Sequence, residues 1–357
     1  MTIVTVDSRD MKRAIATVKP IIPAKTTIPA IMSARITVAN GEMTIEATDL
    51  SRAIWMTIPA TGSGAWLLDF GKLSAIASAL PDGKEVTLSG DGTAAIKCGR
   101  ISAKIMSLAP DDFPSFTYNF KGGEFAMPAK VLKDILSRAD KCRRRDNTNT
   151  SMGGIHMTAG GGKIRVESTD GKMLSRITVK AEIATSIDTL LPGDIAQSIA
   201  TLPDGDMTVM ISPSMASFAS GSVTLITKLI DAQYPEIDHV LPPQIAAKCE
   251  ASAFDTASLL AAIKACSASQ AWDSYAVALS VTSDGAFITG SGNEGETISV
   301  PVECEPGAAF ELKINPLYAT AMIGAAARET IRLSSSGLAL LAVDDGDDFT
   351  GVVMARR

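Results

Sequence analysis

Histidine is nearly absent from this chain, since only His156 and His239 occur among its 357 residues. Neither lies at the spacing of a metal-ligand pair, and no Gly-x-Ser-x-Gly motif precedes either one, so we expect no zinc site and no Ser-His-Asp hydrolase. The five cysteines are scattered, odd in number and without a Cys-x-x-Cys pair: Cys98, Cys142, Cys249, Cys266 and Cys304. This usage is typical of a reduced, cytoplasmic protein. We expect neither a metal nor an organic cofactor.

Long apolar runs are also missing. No run approaches the ~20 residues needed to cross a bilayer, so no membrane partner is expected. The first seven residues lack the basic start and long apolar stretch of a signal peptide. Hydrophobic residues make up 46% of the chain and charged residues 20%, which is typical of a soluble globular protein. A chain of 357 residues is too long for one ordinary core, and two or three domains are expected.

Repeated sequence markers indicate that the first two thirds of the chain are a duplication. The markers recur at an offset of 121 or 122 residues. They are Leu80-Pro81-Asp82-Gly83 with Leu202-Pro203-Asp204-Gly205, Ala47-Thr48-Asp49 with Ser168-Thr169-Asp170, and Asp112-Phe113-Pro114 with Gln233-Tyr234-Pro235. Three separate markers that agree within one residue are hard to obtain by chance, and such self-similarity is the signature of repeated structural units.

Helical periodicity follows the same offset. Apolar residues at i, i+3, i+4 and i+7 predict a helix after Asp7 and Ser8, which can cap it, and the spacing recurs after Pro128. The predicted helix faces are Met11, Ala14, Ile15 and Val18; Leu132, Ile135, Leu136 and Ala139; Leu73, Ile76, Ala77 and Leu80; and Ile195, Ile199 and Leu202. Short runs that alternate apolar and polar residues, such as 43–47 and 163–167, predict half-buried antiparallel strands.

The final third of the chain fits the same template less closely. Asp255 can cap a helix that carries Leu259, Ala262, Ile263 and Cys266, and Asn315 can begin a second helix. Strands are predicted at residues 286–289, 338–343 and 349–354. We therefore predict an α+β fold of three repeated units, each with two helices packed on antiparallel sheet. The units span residues 1–122, 123–245 and 246–357.

Seven short motifs, in register with this threefold repeat, resemble landmarks of the bacterial DNA sliding clamps, the beta subunits of DNA polymerase III. They are Thr27-Ile28-Pro29, Ala47-Thr48-Asp49-Leu50, Asp112-Phe113-Pro114, Thr169-Asp170-Gly171, Lys228-Leu229-Ile230-Asp231, Tyr234-Pro235 and Val352-Val353-Met354. The resemblance implies a homodimeric ring of two head-to-tail subunits, with helices around the hole and sheets outside. Duplex DNA passes through the hole without its sequence being read. The chain is then a processivity factor rather than an enzyme.

The distribution of charge fits such a ring better than the net charge of −6. The three units carry about +2, −1 and −7. A sliding ring should contact phosphates electrostatically and avoid base-edge hydrogen bonds. The basic residues expected to face DNA are Lys12, Arg13, Lys25, Lys141, Arg143, Arg144 and Arg145. Any single lysine here also fits an ordinary solvated face, whereas three adjacent arginines repel one another unless an anion is nearby.

A head-to-tail joint presses the first unit of one subunit against the third unit of the other. Their opposite net charges favour that pairing. The resemblance places the following residues at the joint: Lys72, Ile76, Leu80, Ala103 and Ile105 on one side, and Ala268 and Ser269 on the other. Ile76 and Leu80 fit a core helix face equally well.

The resemblance also implies a groove between the second and third units that binds short apolar peptides. The partners would be the replicative DNA polymerase, the clamp loader and repair proteins. The matching residues are Met152, Thr169, Gly171, Lys172, Met173, Leu174, Pro235, His239, Val240, Met354 and Arg356. Methionine suits a groove with many clients because its side chain repacks around different peptides. The alternative interpretation is that Leu174, Val240 and Met354 are simply core.

Two other interpretations remain open from the sequence. Residues Gly290 to Gly295 satisfy the G-x-G-x-x-G pattern of a nucleotide-binding enzyme, but a strand-like run follows them where the dinucleotide fingerprint requires a helix. The other is a clamp fold without ring closure that serves only as a peptide-binding scaffold.

Overall fold

A computed structural model describes residues 3–114, 122–146, 148, 150–241, 251–268, 276–292, 295–335, 340–345 and 348–356. The chain forms two compact units. Unit 1 comprises Met1–Leu132 and Gln197–Leu229, and unit 2 comprises Lys133–Ala196 and Ile230–Arg357. Neither predicted boundary, after residue 122 or after residue 245, separates these units, so the division into three repeats stays a prediction.

The helices of the described residues include the five for which apolar faces were predicted, and a short one at Thr150–Gly153 that was not predicted. They are α1 Ser8–Val18, α2 Phe70–Ala79, α3 Ala129–Asp140, α4 Thr150–Gly153, α5 Ile195–Ala200, α6 Thr256–Ser267 and α7 Pro316–Ala326, with short 3₁₀ helices at Lys19–Ile21, Pro29–Met32 and Pro110–Asp112. The carboxylates of Asp7 and Asp255 accept backbone N–H groups at the starts of α1 and α6, and Asn315 caps α7 in the same way. These caps confirm the predicted helix starts.

Strands make up most of the remaining described chain. Their bounds are β1 Ile3–Asp7, β2 Ser33–Ala39, β3 Glu42–Thr48, β4 Arg52–Pro59, β5 Gly64–Asp69, β6 Glu85–Ser89, β7 Thr93–Cys98, β8 Ile101–Leu108, β9 Gly123–Pro128, β10 Ile155–Gly160, β11 Lys163–Thr169, β12 Met173–Lys180, β13 Ile187–Leu191, β14 Asp206–Ile211, β15 Met215–Ser220, β16 Val223–Lys228, β17 Ser252–Asp255, β18 Val277–Thr282, β19 Gly285–Ser291, β20 Thr297–Val302, β21 Cys304–Glu305, β22 Phe310–Ile314, β23 Thr330–Ser335, β24 Leu340–Asp344 and β25 Phe349–Arg356. The predicted strand at 338–343 lies partly outside the described residues.

Each unit is built on antiparallel sheet. In the described part of unit 1, twelve strands follow the order β1-β6-β7-β8-β5-β2-β3-β4-β16-β15-β14-β9. In unit 2 the main path is β13-β10-β11-β12-β25-β22-β18-β19-β20, and β17, β21, β23 and β24 branch from it. The α+β fold predicted from the sequence is confirmed.

The duplication is visible in the strands themselves. Strands β3 and β4 become β11 and β12 when 121 is added to every residue number, without a shift at either end. Each pair forms an antiparallel hairpin in the same register, so that Glu46 faces Trp55 and Glu167 faces Arg176. The sheets also continue from one predicted repeat to the next, because β4 pairs with β16 and β12 pairs with β25. This continuity explains why compact units and sequence repeats have different limits.

Candidate functional site

The Thr169-Asp170-Gly171 motif forms a tight turn that joins β11 to β12. The Thr169 hydroxyl donates to the Met173 carbonyl at 2.7 Å, and the Asp170 carboxylate accepts the backbone N–H groups of Lys172 and Met173, both at 2.8 Å. Gly171 has a φ of +89°, a conformation that side chains with a Cβ rarely adopt. The residue types of this motif are therefore those that the turn requires.

Strand β12 leaves this turn beside β25, the last strand of the chain. Leu174 lies opposite Val352, and the Met354 backbone N–H donates to the Lys172 carbonyl at 2.8 Å. The Lys172 ammonium lies 5.8 Å from the centroid of the Tyr318 ring, a distance at which cation–π attraction acts. Met354 is 51% exposed, so a large apolar side chain faces solvent at the end of this strand pair.

Residues 234–241, which we call the groove-wall segment, pack against these strands. Ile237 and Leu241 form a buried apolar cluster with Leu174 and Val352, and Tyr234 packs on it. Pro235, His239 and Val240 lie in the same segment, with His239 exposed and Val240 half-buried. The sequence-predicted groove residues of β12, β25 and this segment are therefore brought together. Leu174 itself is 5% exposed and belongs to the cluster core.

Two predicted groove residues lie at the margins of this arrangement. A Cβ placed on Gly171 would lie 3.8 Å from the Met152 sulfur, so Met152 borders the turn. Arg356 is exposed at the end of β25, where its cross-strand neighbour is Lys313. Ile237 and Leu241 were not predicted as groove residues. Their spacing from Tyr234, at i, i+3 and i+7, is the signal that would have found them.

The three adjacent arginines follow α3 and bind within the chain. Arg143 Nε donates to Asp140 Oδ1 at 2.6 Å, and Arg145 Nη2 donates to Asp140 Oδ2 at 2.9 Å. Arg144 Nη2 donates to the Asp170 carbonyl at 3.1 Å. The anion that adjacent positive charges require is thus supplied by Asp140, and the run by itself does not demand DNA. Arg145, with a side chain 54% exposed, is the member best placed to reach a phosphate.

The other predicted DNA-facing residues also lie at the surface. Lys12 Nζ pairs with Asp82 at 2.7 Å, and Arg13 Nη2 pairs with Asp10 at 2.8 Å. Lys25 is exposed in the loop between two 3₁₀ helices, and Lys141 Nζ donates to the Gly324 carbonyl at 2.5 Å. Surface ion pairs of this kind are worth about 0–1 kcal/mol, so an incoming phosphate can displace them.

The residues predicted at the joint divide into buried and exposed groups. Leu80 and Ile105 are 3% and 2% exposed, so their side chains belong to the core and are not available at the surface. Ile76 and Ala103 are half-buried, and Lys72 and Ala268 are exposed. Ser269 lies outside the described residues. For Leu80, the structure favours the core interpretation.

Among the unpaired sheet edges of the described chain are those of β8 and β20. Residues 101–106 of β8 pair with β7 on one side only, because β5 meets β8 at residues 107 and 108. Strand β20 pairs with β19 alone. Met106 on β8 is 77% exposed, and Ile298 on β20 is also exposed. Unpaired edges with exposed apolar residues are templates for pairing with another chain.

The charges beside these two edges are opposite. Exposed basic residues lie on and next to β8, and exposed acidic residues lie on both flanks of β20. The basic set is Lys97, Arg100 and Lys104, and the acidic set is Glu296, Glu303 and Glu305. The two edges are therefore complementary both in backbone hydrogen bonding and in charge.

Residues Gly290 to Gly295 lie in a hairpin and not in a nucleotide-binding turn. Gly290 is the sixth residue of β19, and β20 returns antiparallel to it, with Gly290 opposite Ile298. Asn293 and Glu294 of this pattern lie outside the described residues. The dinucleotide fingerprint needs a helix at this place, and the structure has a strand.

In the described chain no helix has both the length and the apolar character to span a membrane.

Comparison with known proteins decides the family. The family model for the N-terminal domain of the DNA polymerase III beta subunit matches residues 2–117, and the model for its central domain matches residues 126–236. Together they match more than half of the chain. The chain belongs to the DNA polymerase III beta subunit family.

Other members of this family agree in sequence and fold. A beta sliding clamp from Chlamydia muridarum is 22% identical over 246 residues, which are 67% of each chain. The DNA polymerase III beta subunit from Pseudomonas aeruginosa superposes with a TM-score of 0.91 at 20% identity, covering 99% of this chain and 100% of that one. A beta subunit sliding clamp from Bartonella birtlesii, solved bound to griselimycin, has a TM-score of 0.91 at 21% identity and covers both chains fully. The chain is a processivity factor of DNA polymerase.

Proposed function

We propose that two copies of this chain close head to tail around duplex DNA. Edge strand β8 of one copy would add to edge strand β20 of the other, which extends the sheets across the joint. The observation that carries this proposal is the pair of unpaired strand edges flanked by charges of opposite sign. A dimer joined in this way would contain six domains, if the repeats end at residues 122 and 245 as predicted.

Charge reversal at one edge should weaken the dimer. Lys104→Glu places a fourth acidic partner where β8 meets the acidic flank of β20, so we expect the dissociation constant of the dimer to rise about three- to tenfold. Light scattering across a concentration series measures the change, and the wild type should approach twice the monomer mass of 37.2 kDa.

The reverse change on the other edge provides the test of pairing. Glu303→Lys in the same chain as Lys104→Glu should restore most of the affinity, since the charges again oppose each other. Lys163→Glu reverses an exposed lysine on β11 and should leave the mass unchanged. A wild type that stays monomeric at micromolar concentration would contradict ring closure and favour a peptide-binding scaffold.

We propose that the ring holds DNA through its phosphates and carries out no catalysis. Lys12 and Arg13 pair with carboxylates at the surface, and Arg145 bonds both the carboxylate and the backbone carbonyl of Asp140; these cations can exchange such partners for phosphate oxygens. Such contacts carry no sequence information, which is what sliding requires.

We propose that the surface formed by the Thr169–Met173 turn, β25 and the groove-wall segment binds short apolar peptides of the replicative polymerase, the clamp loader and repair proteins. Support comes from exposed Met354 beside the buried Leu174 cluster, which gives an apolar anchor on a rigid base. The clamp from Bartonella birtlesii was solved with griselimycin bound, so a protein of this fold can take up a ligand.

Met354→Ala should weaken peptide binding with little effect on folding. We expect a loss of about 1–3 kcal/mol in binding free energy if Met354 is a central anchor. The free energy of unfolding should change little because half of the side chain is already in solvent. A labelled polymerase-tail peptide titrated against both proteins measures the affinity. Leu174→Ala is a poorer test, since Leu174 is buried and its loss also destabilises the fold.

Ile3→Ala is the matched control, because Ile3 is an exposed apolar residue on β1 of unit 1. Its peptide affinity should equal that of the wild type. Equal affinity in a folded Met354→Ala protein would show that the peptide does not use this surface.

A further inference from the structure

His156 lies on β10 behind the groove-wall segment and contacts three side chains. Its Nδ1 is 3.0 Å from Glu167 Oε2, and its Nε2 is 2.9 Å from Asp188 Oδ1. Its ring stacks on Tyr234, with centroids 4.6 Å apart and an angle of 22° between the planes. Both nitrogens face carboxylates, which only accept hydrogen bonds when ionised. Both contacts can be hydrogen bonds at once only if His156 is an imidazolium.

The Glu167 carboxylate is also connected to the groove-wall segment through a second side chain, Arg176. Glu167 is buried, and its other oxygen accepts from Arg176 on β12. Arg176 in turn donates to Asp238. Tyr234 and Asp238 therefore connect the segment to one buried carboxylate by two routes, through the His156 ring and through Arg176. Between them Ile237 faces the Leu174 cluster.

The first repeat contains the same arrangement with a permanent charge. Arg35, Glu46 and Phe113 occupy the positions of His156, Glu167 and Tyr234 after the offset of 121. Arg35 donates to Glu46 from Nε at 2.9 Å and from Nη2 at 2.6 Å, and its guanidinium lies 4.7 Å from the centroid of the Phe113 ring. Both repeats therefore place a cation, a buried carboxylate and an aromatic ring at matching positions. In the second repeat the cation is titratable.

We propose that His156 is a positioning residue of the peptide groove: its charged form holds Tyr234 and Glu167 in place behind the groove-wall segment, and loss of that charge as the pH rises loosens the segment and weakens peptide binding. This inference rests on the proposed groove. His156 does not touch the peptide, and its effect is exerted through the wall.

The direction of the effect follows from the groups around the ring. The described titratable and charged groups near it are Glu167 on β11, Asp188 on β13 and Tyr234, with Arg165, Arg176 and Asp238 beyond them. Burial alone lowers the pKa of His156, but the hydrogen bonds to Glu167 and Asp188 outweigh it and raise the pKa above the ordinary 6.5. The stabilisation is therefore complete below pH 6.5 and is lost as the pH rises through the raised pKa.

The protonation of Glu167 determines how far the pH can fall before the same network is lost. Burial alone raises the pKa of Glu167, but the hydrogen bonds from His156 and Arg176 outweigh it and lower the pKa from the ordinary 4.5. Its contribution is present above pH 4.5 and is lost as the pH falls through the lowered value. Peptide affinity should therefore be highest at pH values between the lowered pKa of Glu167 and the raised pKa of His156.

The experiment is a fluorescence titration of a labelled peptide with a C-terminal apolar pair, at about pH 6 and about pH 9. Wild-type affinity should fall about three- to tenfold between the two conditions, because the loss of the His156 charge loosens the groove-wall segment. His156→Gln should bind weakly at both pH values. His156→Arg copies the first repeat and should bind well at both.

Two further measurements separate the possible causes. His239→Gln removes the other histidine and should keep the pH dependence of the wild type. Amide hydrogen exchange without peptide, corrected for the intrinsic effect of pH, should show protection of residues 234–241 falling with rising pH in the wild type and not in His156→Arg.

The outcomes distinguish the role of His156 from the groove assignment. If no peptide binds at any pH but the protection of residues 234–241 follows the charge at position 156, the positioning role of His156 is supported and the groove assignment fails. If peptide binds and the pH dependence is the same in the wild type and His156→Arg, the groove stands and the role of His156 is overturned.

Discussion

Arg138→Ala is expected to lower the free energy of unfolding by about 3–5 kcal/mol, the effect of removing one partner from a buried ion network. Arg138 is buried on α3, and its Nε donates to the Ala325 carbonyl at 2.7 Å. Its two Nη atoms bond both oxygens of Asp348 at 3.1 Å, and Nη2 lies 3.5 Å from Asp345, whose side chain is 0% exposed. Without the guanidinium the Ala325 carbonyl and the Asp348 carboxylate lose a shared donor, whereas Asp345 keeps Arg328 at 3.3 Å and the Phe349 backbone N–H at 2.9 Å.

Denaturant unfolding measures this decrease in the free energy of unfolding. Two further variants test the network even if the Arg138→Ala protein does not fold. Arg138→Lys keeps the charge but cannot bond a carboxylate with two nitrogens and a carbonyl together, so it should show an intermediate loss. Arg332→Ala removes a surface arginine 2.8 Å from Asp344 and should change stability by about 0–1 kcal/mol. A change below about 1 kcal/mol in Arg138→Ala would show that the network contributes little to stability.

The features that the sequence predicted are those set by local chemistry. The caps at Asp7, Asp255 and Asn315 and the apolar spacing of the helices depend on residues within one turn of each other, and the structure confirms them. The α+β class follows from the repeat of helix and strand patterns. The ion pairs of Arg143 and Arg145 with Asp140 are also local, three and five residues away, and that spacing could have predicted them.

The features that the sequence did not predict depend on distant partners. Arg138 and Asp348 are 210 residues apart, and nothing in the local pattern connects them. The burial of Leu80 and Ile105 likewise depends on how α2 packs against the sheet that contains β8, so a family resemblance marks their place in the chain but not their exposure. The joint, DNA and groove assignments remain predictions because they concern surfaces toward other molecules.

Topological retention on DNA is expected to be the largest effect of all. If the dimer encircles the duplex, it can leave only by opening or by sliding off an end, and the exchange of phosphate contacts at high salt does not release it. The exposed cations near Lys12 and Arg145 should then influence loading more than retention, since loading depends on their contacts with phosphates.

The most direct measurement follows labelled protein that its clamp loader has placed on a nicked circular plasmid. After a wash in high salt, the protein should remain on the circle and should be lost almost completely once a single cut linearises the plasmid. Blocking both ends of the linear DNA with bound proteins should restore retention. Equal retention on circular DNA and on linear DNA with free ends would contradict encirclement, and with it the account of this chain as a closed sliding clamp.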